Sequence, residues 1–407
     1  MKTRYQKRLK KIASCYYNRN PEEKSEVFLM NKASKKVGLD DWGNTNFVTA
    51  LSRLLHSCRN EGNLNSFGWF YIHSLMTTYL YGRLTIEEYC KKNPEIKKER
   101  IDRPLFIISL PRTGTTLLQR LLTQASCARS LAYWEGLFPA PFPKLYPDSQ
   151  KSDLRIRAAA QFLRIRNTVV PNINMMHPSY IRQPEECFHL LDKEFMSSLF
   201  HILFDLPSYY NWLNHQDMLP VYKYYKKQLQ ILQFSTPRNS RKRWILKSPF
   251  HMFGIDHLLK IFPDACIIQT HRSPAQSLSS LCSMLTTVRK NLQNKPVSNQ
   301  LGRDAAQFWK NMLDNNMQIR SKYGEERFLD INYEKLVENP LEVSHNIYDY
   351  FDFIPNKNVT EKMKKWLFYN PKNKHGLHEY FAGNYGLSDE FISRLFGNYL
   401  ERFKLFS

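Results

Sequence analysis

From about residue 100 onward, short continuous apolar runs alternate with helical patterns. Pro104-Leu-Phe-Ile-Ile-Ser-Leu110 is the first, and Trp244-Ile-Leu246, Ala265-Cys-Ile-Ile-Gln-Thr270 and Arg327-Phe-Leu-Asp-Ile331 follow. An unbroken apolar run this short is what a strand covered on both faces requires. Such strands, separated by helices, predict a parallel α/β sheet. Before residue 100 the spacing is helical: Phe47, Leu51, Leu54, Leu55 and Cys58 share one face, and Thr85-Ile-Glu-Glu88 predicts a capping box that opens a short helix. Between about 130 and 240 the chain is rich in aromatics and proline and mostly helical, with no comparable strand. That stretch reads as an insertion or lid over the sheet. The expected organisation is a helical N-terminal region over 1–100 and an α/β domain over 101–407.

Composition narrows the class. A chain of 407 residues that is 42% hydrophobic with only 14 glycines carries a large core and is not disordered. No apolar run approaches the roughly 20 residues of a membrane span. The basic start, MKTRYQKRLKKIASC, lacks the ~7–15-residue apolar stretch of a secretory signal, so the chain is expected in the cytoplasm. The seven cysteines are scattered and never form CxxC, which argues against a disulfide framework and a thiolate metal site. Lys and Arg outnumber Asp and Glu by 59 to 37, a net charge of +22. Basic clusters lie at 2–11, 91–103, 223–227, 238–247 and 362–374. A nucleic-acid footprint is more contiguous, so the charge reads as a solvated surface or an attraction for a smaller polyanion.

The candidate chemistry sits at strand ends. Pro111-Arg-Thr-Gly-Thr-Thr116 follows the first strand and enters the amphipathic segment Leu117–Leu122. Strand, glycine-containing turn and helix start together form a cradle of backbone N–H groups for phosphate. A nucleoside triphosphatase would carry GxxxxGK[ST]. Here Thr115 stands where that lysine would be, and the cation is Arg112, inside the loop. Lys247-Ser-Pro249 and Arg272-Ser-Pro274 close two later strands with a cation, a serine N-cap and a proline at the first helical position. Ligands of open α/β sheets bind at the carboxyl ends of strands, so Lys247 and Arg272 are expected in one site with Arg112.

Pro-Arg-Thr-Gly-Thr-Thr resembles the 5′-phosphosulfate loop of sulfotransferases that use 3′-phosphoadenosine-5′-phosphosulfate (PAPS), written PKSGTT or PRSGTT. Arg272 with Ser280 eight residues later resembles the family's 3′-phosphate motif, and Ser273, Ser277 and Ser280 fall on one helix face. Asn332-Tyr-Glu-Lys-Leu-Val-Glu-Asn-Pro340 is similar to the YEDL segment, whose tyrosine, Tyr333 here, helps bind adenine. His177-Pro through Gln-Pro-Glu-Glu186, Leu246-Lys-Ser-Pro-Phe-His251, and His378-Glu-Tyr with Tyr385-Gly-Leu look like a bacterial-type branch.

The resemblance implies a P-loop-like fold and transfer of a sulfuryl group from PAPS to a hydroxyl of a small-molecule, lipid or carbohydrate acceptor, with no metal required. It implies donor contacts from Arg112, Thr113, Gly114, Thr115, Thr116, Arg272, Ser280 and Tyr333. Arg112 would stabilise charge on the leaving phosphate, and Lys247 would touch the sulfuryl oxygens. The general base is His251 or Glu186. The aromatics of the insertion, Phe195, Phe200, Phe204, Tyr209, Tyr210 and Trp212, are expected to favour a partly apolar acceptor, and Lys374-His-Gly376 is the candidate for a closing loop over the 3′-phosphate. A P-loop kinase and a non-catalytic basic anion- or nucleic-acid-binding protein are the competing readings.

Overall fold

The computed structural model describes residues 11–14, 25–143, 153–237, 241–294, 300–371 and 382–405. Its centre is a five-stranded sheet of β1 (Leu105–Ser109), β2 (Ala128–Arg129), β3 (Arg243–Lys247), β4 (Cys266–His271) and β5 (Phe328–Asn332), ordered β2-β3-β1-β4-β5. All pairs are parallel, with Phe106 opposite Leu246 on one side and Ile267 on the other. The apolar runs fall on four of these strands. β2 was not apparent in the sequence, because two residues carry no periodicity.

Strand residues alternate between two cores. Leu105, Ile107, Ile245 and Ile268 point to one layer, while Phe106, Ile108, Leu246 and Ile267 point to the other. Burial on both faces is why these strands read as unbroken apolar runs.

Helices packed around the sheet include α1 (Glu26–Val37), α2 (Phe47–Asn60), α3 (Ser66–Lys92), α4 (Thr115–Leu122), α5 (Ser198–Phe204), α6 (Leu219–Phe234), α7 (Pro274–Leu292), α8 (Leu301–Tyr323), α9 (Tyr333–Glu338) and α10 (Asp389–Phe403). Phe47, Leu51, Leu54, Leu55 and Cys58 are all buried, as their spacing implies. Thr85 does not open a helix. It lies inside the 27-residue α3, where its hydroxyl donates to the Gly82 carbonyl, so packing along α3 overrides the local capping pattern. One core runs from Ala13 to Leu405 and takes in one face of the sheet, so the N-terminal helices form part of that core. No described helix is long and apolar enough to cross a membrane. The six described cysteines form no disulfide.

The connection after β1 runs toward β3 and β2, whereas that after β4 runs to β5 on the opposite edge. The sheet therefore switches direction between β1 and β4, the place where open α/β sheets hold ligands.

Candidate active site

The loop after β1 makes a tight turn whose backbone enters the left-handed region twice, at Arg112 (φ 69°) and Gly114 (φ 79°). Glycine is needed at 114, because a Cβ there would stand 3.1 Å from the Tyr333 ring and 3.0 Å from Leu336. Thr113 is fully buried. Its hydroxyl donates to the Leu110 carbonyl at 2.8 Å and bonds Thr270 at 2.7 Å, which staples the loop to β4. Thr113 therefore offers a ligand only its backbone. Thr115 and Thr116, in the first turn of α4, line the cleft above the loop, where the helix dipole favours an anion.

The Arg112 side chain crosses to α7, with Nε donating to Ser280 Oγ at 3.0 Å and an η nitrogen donating to the Met176 carbonyl at 2.7 Å. Arg272, just after β4, donates to the Arg112 carbonyl at 2.9 Å and lies 4.2 Å over the Tyr333 ring. The loop after β1, the first half of α7 and the start of α9 are thus joined through two guanidinium groups. Ser277 is buried in the same helix with no partner for its hydroxyl, a donor left over at the serine-rich end.

Lys247 ends β3 and is only 2% exposed. Its Nζ donates to Glu186 Oε1 at 2.6 Å and to Thr116 Oγ1 at 3.3 Å. Glu186 reaches this point because its segment lies along the sheet. The Glu185 N–H donates to the Leu131 carbonyl, the Cys187 N–H donates to the Lys247 carbonyl, and Gln119 of α4 donates to the Glu185 carbonyl. Burial pushes the Glu186 carboxyl up, but the Lys247 ammonium and His177 together outweigh it and hold it at about 2. His177 Nε2 lies 3.6 Å from the same carboxylate oxygen. His177 had no role assigned from sequence, and the only signal was its place in the His-Pro segment nine residues before Glu186.

His251 is not in the cleft. The turn after Lys247 is a 3-10 helix (Pro249–Met252) that swings Phe250 toward the cleft and His251 beneath the sheet. The imidazole is fully buried, 5.1 Å from Phe106, with Nδ1 bonded to Tyr222 at 3.1 Å. Burial drives it down to about 3. It packs against Phe106, Tyr222 and Tyr225 and does not line the cleft, and its Nε2 has no hydrogen-bond partner. His271 also faces away, bonded to Tyr399 and Asp330 and stacked on Phe403. Phe195, Phe200, Phe204 and Tyr209 are fully buried core, and none of the six aromatics expected to favour an apolar acceptor lines the cleft; Tyr133 and Phe188 of the insertion do. Lys374-His-Gly376 and His378 lie outside the described residues.

Arg112, Gly114, Thr115, Thr116, His177, Glu186, Lys247, Arg272 and Tyr333 line one continuous cleft of about 910 Å³, near the top of the ~300–1,000 Å³ range of small-molecule sites. Thr113, Ser277 and Ser280 are buried and do not line it. Among the described residues no group of three or more His, Cys, Asp or Glu is placed to hold a metal ion.

Residues 104–354 match the sequence model of the sulfotransferase family, more than half of the chain. The crystal structure of sulfotransferase STF9 from Mycobacterium avium matches with a TM-score of 0.84 at 27% identity, covering 96% of this chain and 99% of that one. Sulfotransferase STF1 from Mycobacterium tuberculosis H37Rv matches with a TM-score of 0.76 at 29% identity, covering 92% and 98%. No curated protein sequence matches significantly. With the matched segment spanning every strand of the sheet, the loop after β1 and the Lys247–Glu186 pair, the chain belongs to the sulfotransferase family and is a transferase.

Proposed function

We propose that the chain transfers a sulfuryl group from PAPS to a hydroxyl, releasing adenosine 3′,5′-bisphosphate. The observation that carries this reading is the convergence of Arg112, Lys247 and Arg272 on a single cleft, at the carboxyl ends of β1, β3 and β4. Three cations, a glycine turn with two left-handed residues and the start of α4 match a donor that carries phosphate at two positions. Arg272 and Ser280, with the partnerless hydroxyl of Ser277 in the same helix, suit the 3′-phosphate. Tyr333 offers a ring face to the base, and Thr115, Thr116 and the loop suit the 5′ end.

The transfer is a displacement at sulfur. The acceptor oxygen forms a bond to sulfur as the bond from sulfur to the bridging phosphate oxygen breaks, and the hydroxyl proton passes to a base. Arg112 offsets the charge that develops on the leaving phosphate. An arginine stays protonated at neutral pH, so its contribution is electrostatic and it does not protonate the leaving group. Glu186 is the base. Its carboxylate is ionised at neutral pH and sits 2.6 Å from Lys247 Nζ. Donor oxygens compete for the same ammonium, which weakens its hold on Glu186 and raises the affinity of that carboxylate for a proton. His177 steadies the carboxylate from the other side.

A kinase reading is less well supported, since Thr115 occupies the position of the phosphate-gripping lysine. The decisive experiment is thermal stabilisation. Adenosine 3′,5′-bisphosphate at about 100 times its Kd should stabilise the fold by about 2.7 kcal/mol, and ATP with Mg²⁺ should not. The reverse pattern would replace this proposal with the kinase.

A further inference from the structure

The cleft does not end at the Lys247–Glu186 pair. It continues along α7, and the helix changes character on the way. Its first two turns carry Ser273, Ser277, Ser279 and Ser280, and from Leu281 onward the residues lining the cleft are Leu281, Met284, Leu285, Val288 and Leu292. These recur at three- and four-residue spacing and form one apolar stripe. Eleven residues of helix separate Leu281 from Leu292, about 16 Å at 1.5 Å per residue. The facing wall comes from α5, where Leu199 and Leu203 are only half-buried and point to the cleft, as Met284 does. Partly exposed leucines in a channel leave apolar surface that an apolar ligand would cover. The charged residues that line the cleft include Arg112, Arg120, Arg166, Lys247, Arg272, Glu185 and Glu186, and none of them lies on α5 or on α7 from Leu281 onward.

Resting on the donor reading above, we propose that the acceptor is a long-chain alcohol or hydroxylated lipid. Its hydrocarbon lies along the Leu281–Leu292 stripe against α5, and its hydroxyl reaches Lys247 and Glu186. A sugar would leave its hydroxyls against Leu203 and Met284 without partners, a cost that a hydrocarbon chain does not incur.

The test measures kcat/KM for butanol, hexanol, octanol, decanol and dodecanol with labelled PAPS and the full chain. Glucose and phenol serve as polar and compact comparisons. Each methylene that enters the channel should raise kcat/KM by roughly three- to fourfold, the worth of a buried CH₂, until the channel is filled. Met284→Trp should move the optimum to a shorter alcohol, and retained stabilisation by adenosine 3′,5′-bisphosphate shows that the variant is folded. A flat chain-length series, or preference for glucose, with the bisphosphate still stabilising the protein overturns the acceptor proposal alone. If the bisphosphate fails to stabilise the wild-type chain, the donor reading falls and this proposal with it.

Discussion

Lys247 and Glu186 meet at 2.6 Å from elements 61 residues apart in sequence. The pair is nearly dry, with side chains 2% and 13% exposed. A contact of this kind is expensive to break from one side, because the surviving charge stays buried. Lys247→Ala should therefore destabilise the fold by about 3–5 kcal/mol and remove transfer. Glu186→Gln keeps the shape and removes the proposed base, so kcat should fall by roughly 10²–10⁴ while bisphosphate affinity holds. Equal losses of kcat and bisphosphate binding in Glu186→Gln would reassign the residue to donor binding.

The same pair sets a pH dependence. The Glu186 carboxyl is lowered in the fold from 4.5 to about 2. Its contribution to stability is complete above 4.5 and is lost as pH falls through the window down to about 2. Subtracting the acid-unfolding profile of Glu186→Gln from that of the wild type isolates this loss. The difference should change only inside that window.

Arg272 stacks on Tyr333 while it holds the Arg112 carbonyl, so the two side chains should not act independently. Arg272→Ala and Tyr333→Ala should each weaken binding of adenosine 3′,5′-bisphosphate. A double-mutant cycle by calorimetry should return a coupling of about 0.5–2 kcal/mol. Strict additivity would mean that the stacking contributes nothing to the nucleotide site.

Replacing Arg112 by Ala should lower kcat by roughly 10²–10³, the usual cost of removing one charge-stabilising donor. Arg112→Lys should recover part of that loss, since the charge returns without the bond geometry that Nε makes with Ser280. Full activity in Arg112→Ala would remove the residue from the mechanism.

His251→Leu should leave turnover unchanged, because the imidazole lies under the sheet. Burial lowers its pKa from 6.5 to about 3, so it stays neutral in the fold and takes up a proton only on unfolding. Stability present above 6.5 is lost as pH falls toward 3. The leucine variant should lose less stability than the wild type across that interval, as followed by urea midpoints.

The strands, the glycine turn after β1 and the cations at the strand ends were legible because each is written in contiguous residues: an apolar run, then a turn, then a helix start. The fate of His251 was not. Whether the turn after Lys247 is an α-helix or a 3-10 helix decides which way residue 251 points, and Ser248-Pro249 permits both. Glu186 and His177 depend on the pairing of residues 183–187 with the sheet edge, a long-range contact with no local signature. The apolar stripe of α7 looks like ordinary core in the sequence. It becomes a channel wall only because Leu203 and Met284 are left half-covered by their neighbours.

Arg112 holds its guanidinium from a backbone at φ 69°, a conformation that costs a residue with a side chain about 1–2 kcal/mol and costs glycine almost nothing. Foldability and chemistry thus pull residue 112 in opposite directions. Variant libraries sorted for thermal tolerance alone should enrich glycine at this position, and the survivors should be sturdier proteins whose kcat is lowered by roughly the same 10²–10³ as in Arg112→Ala.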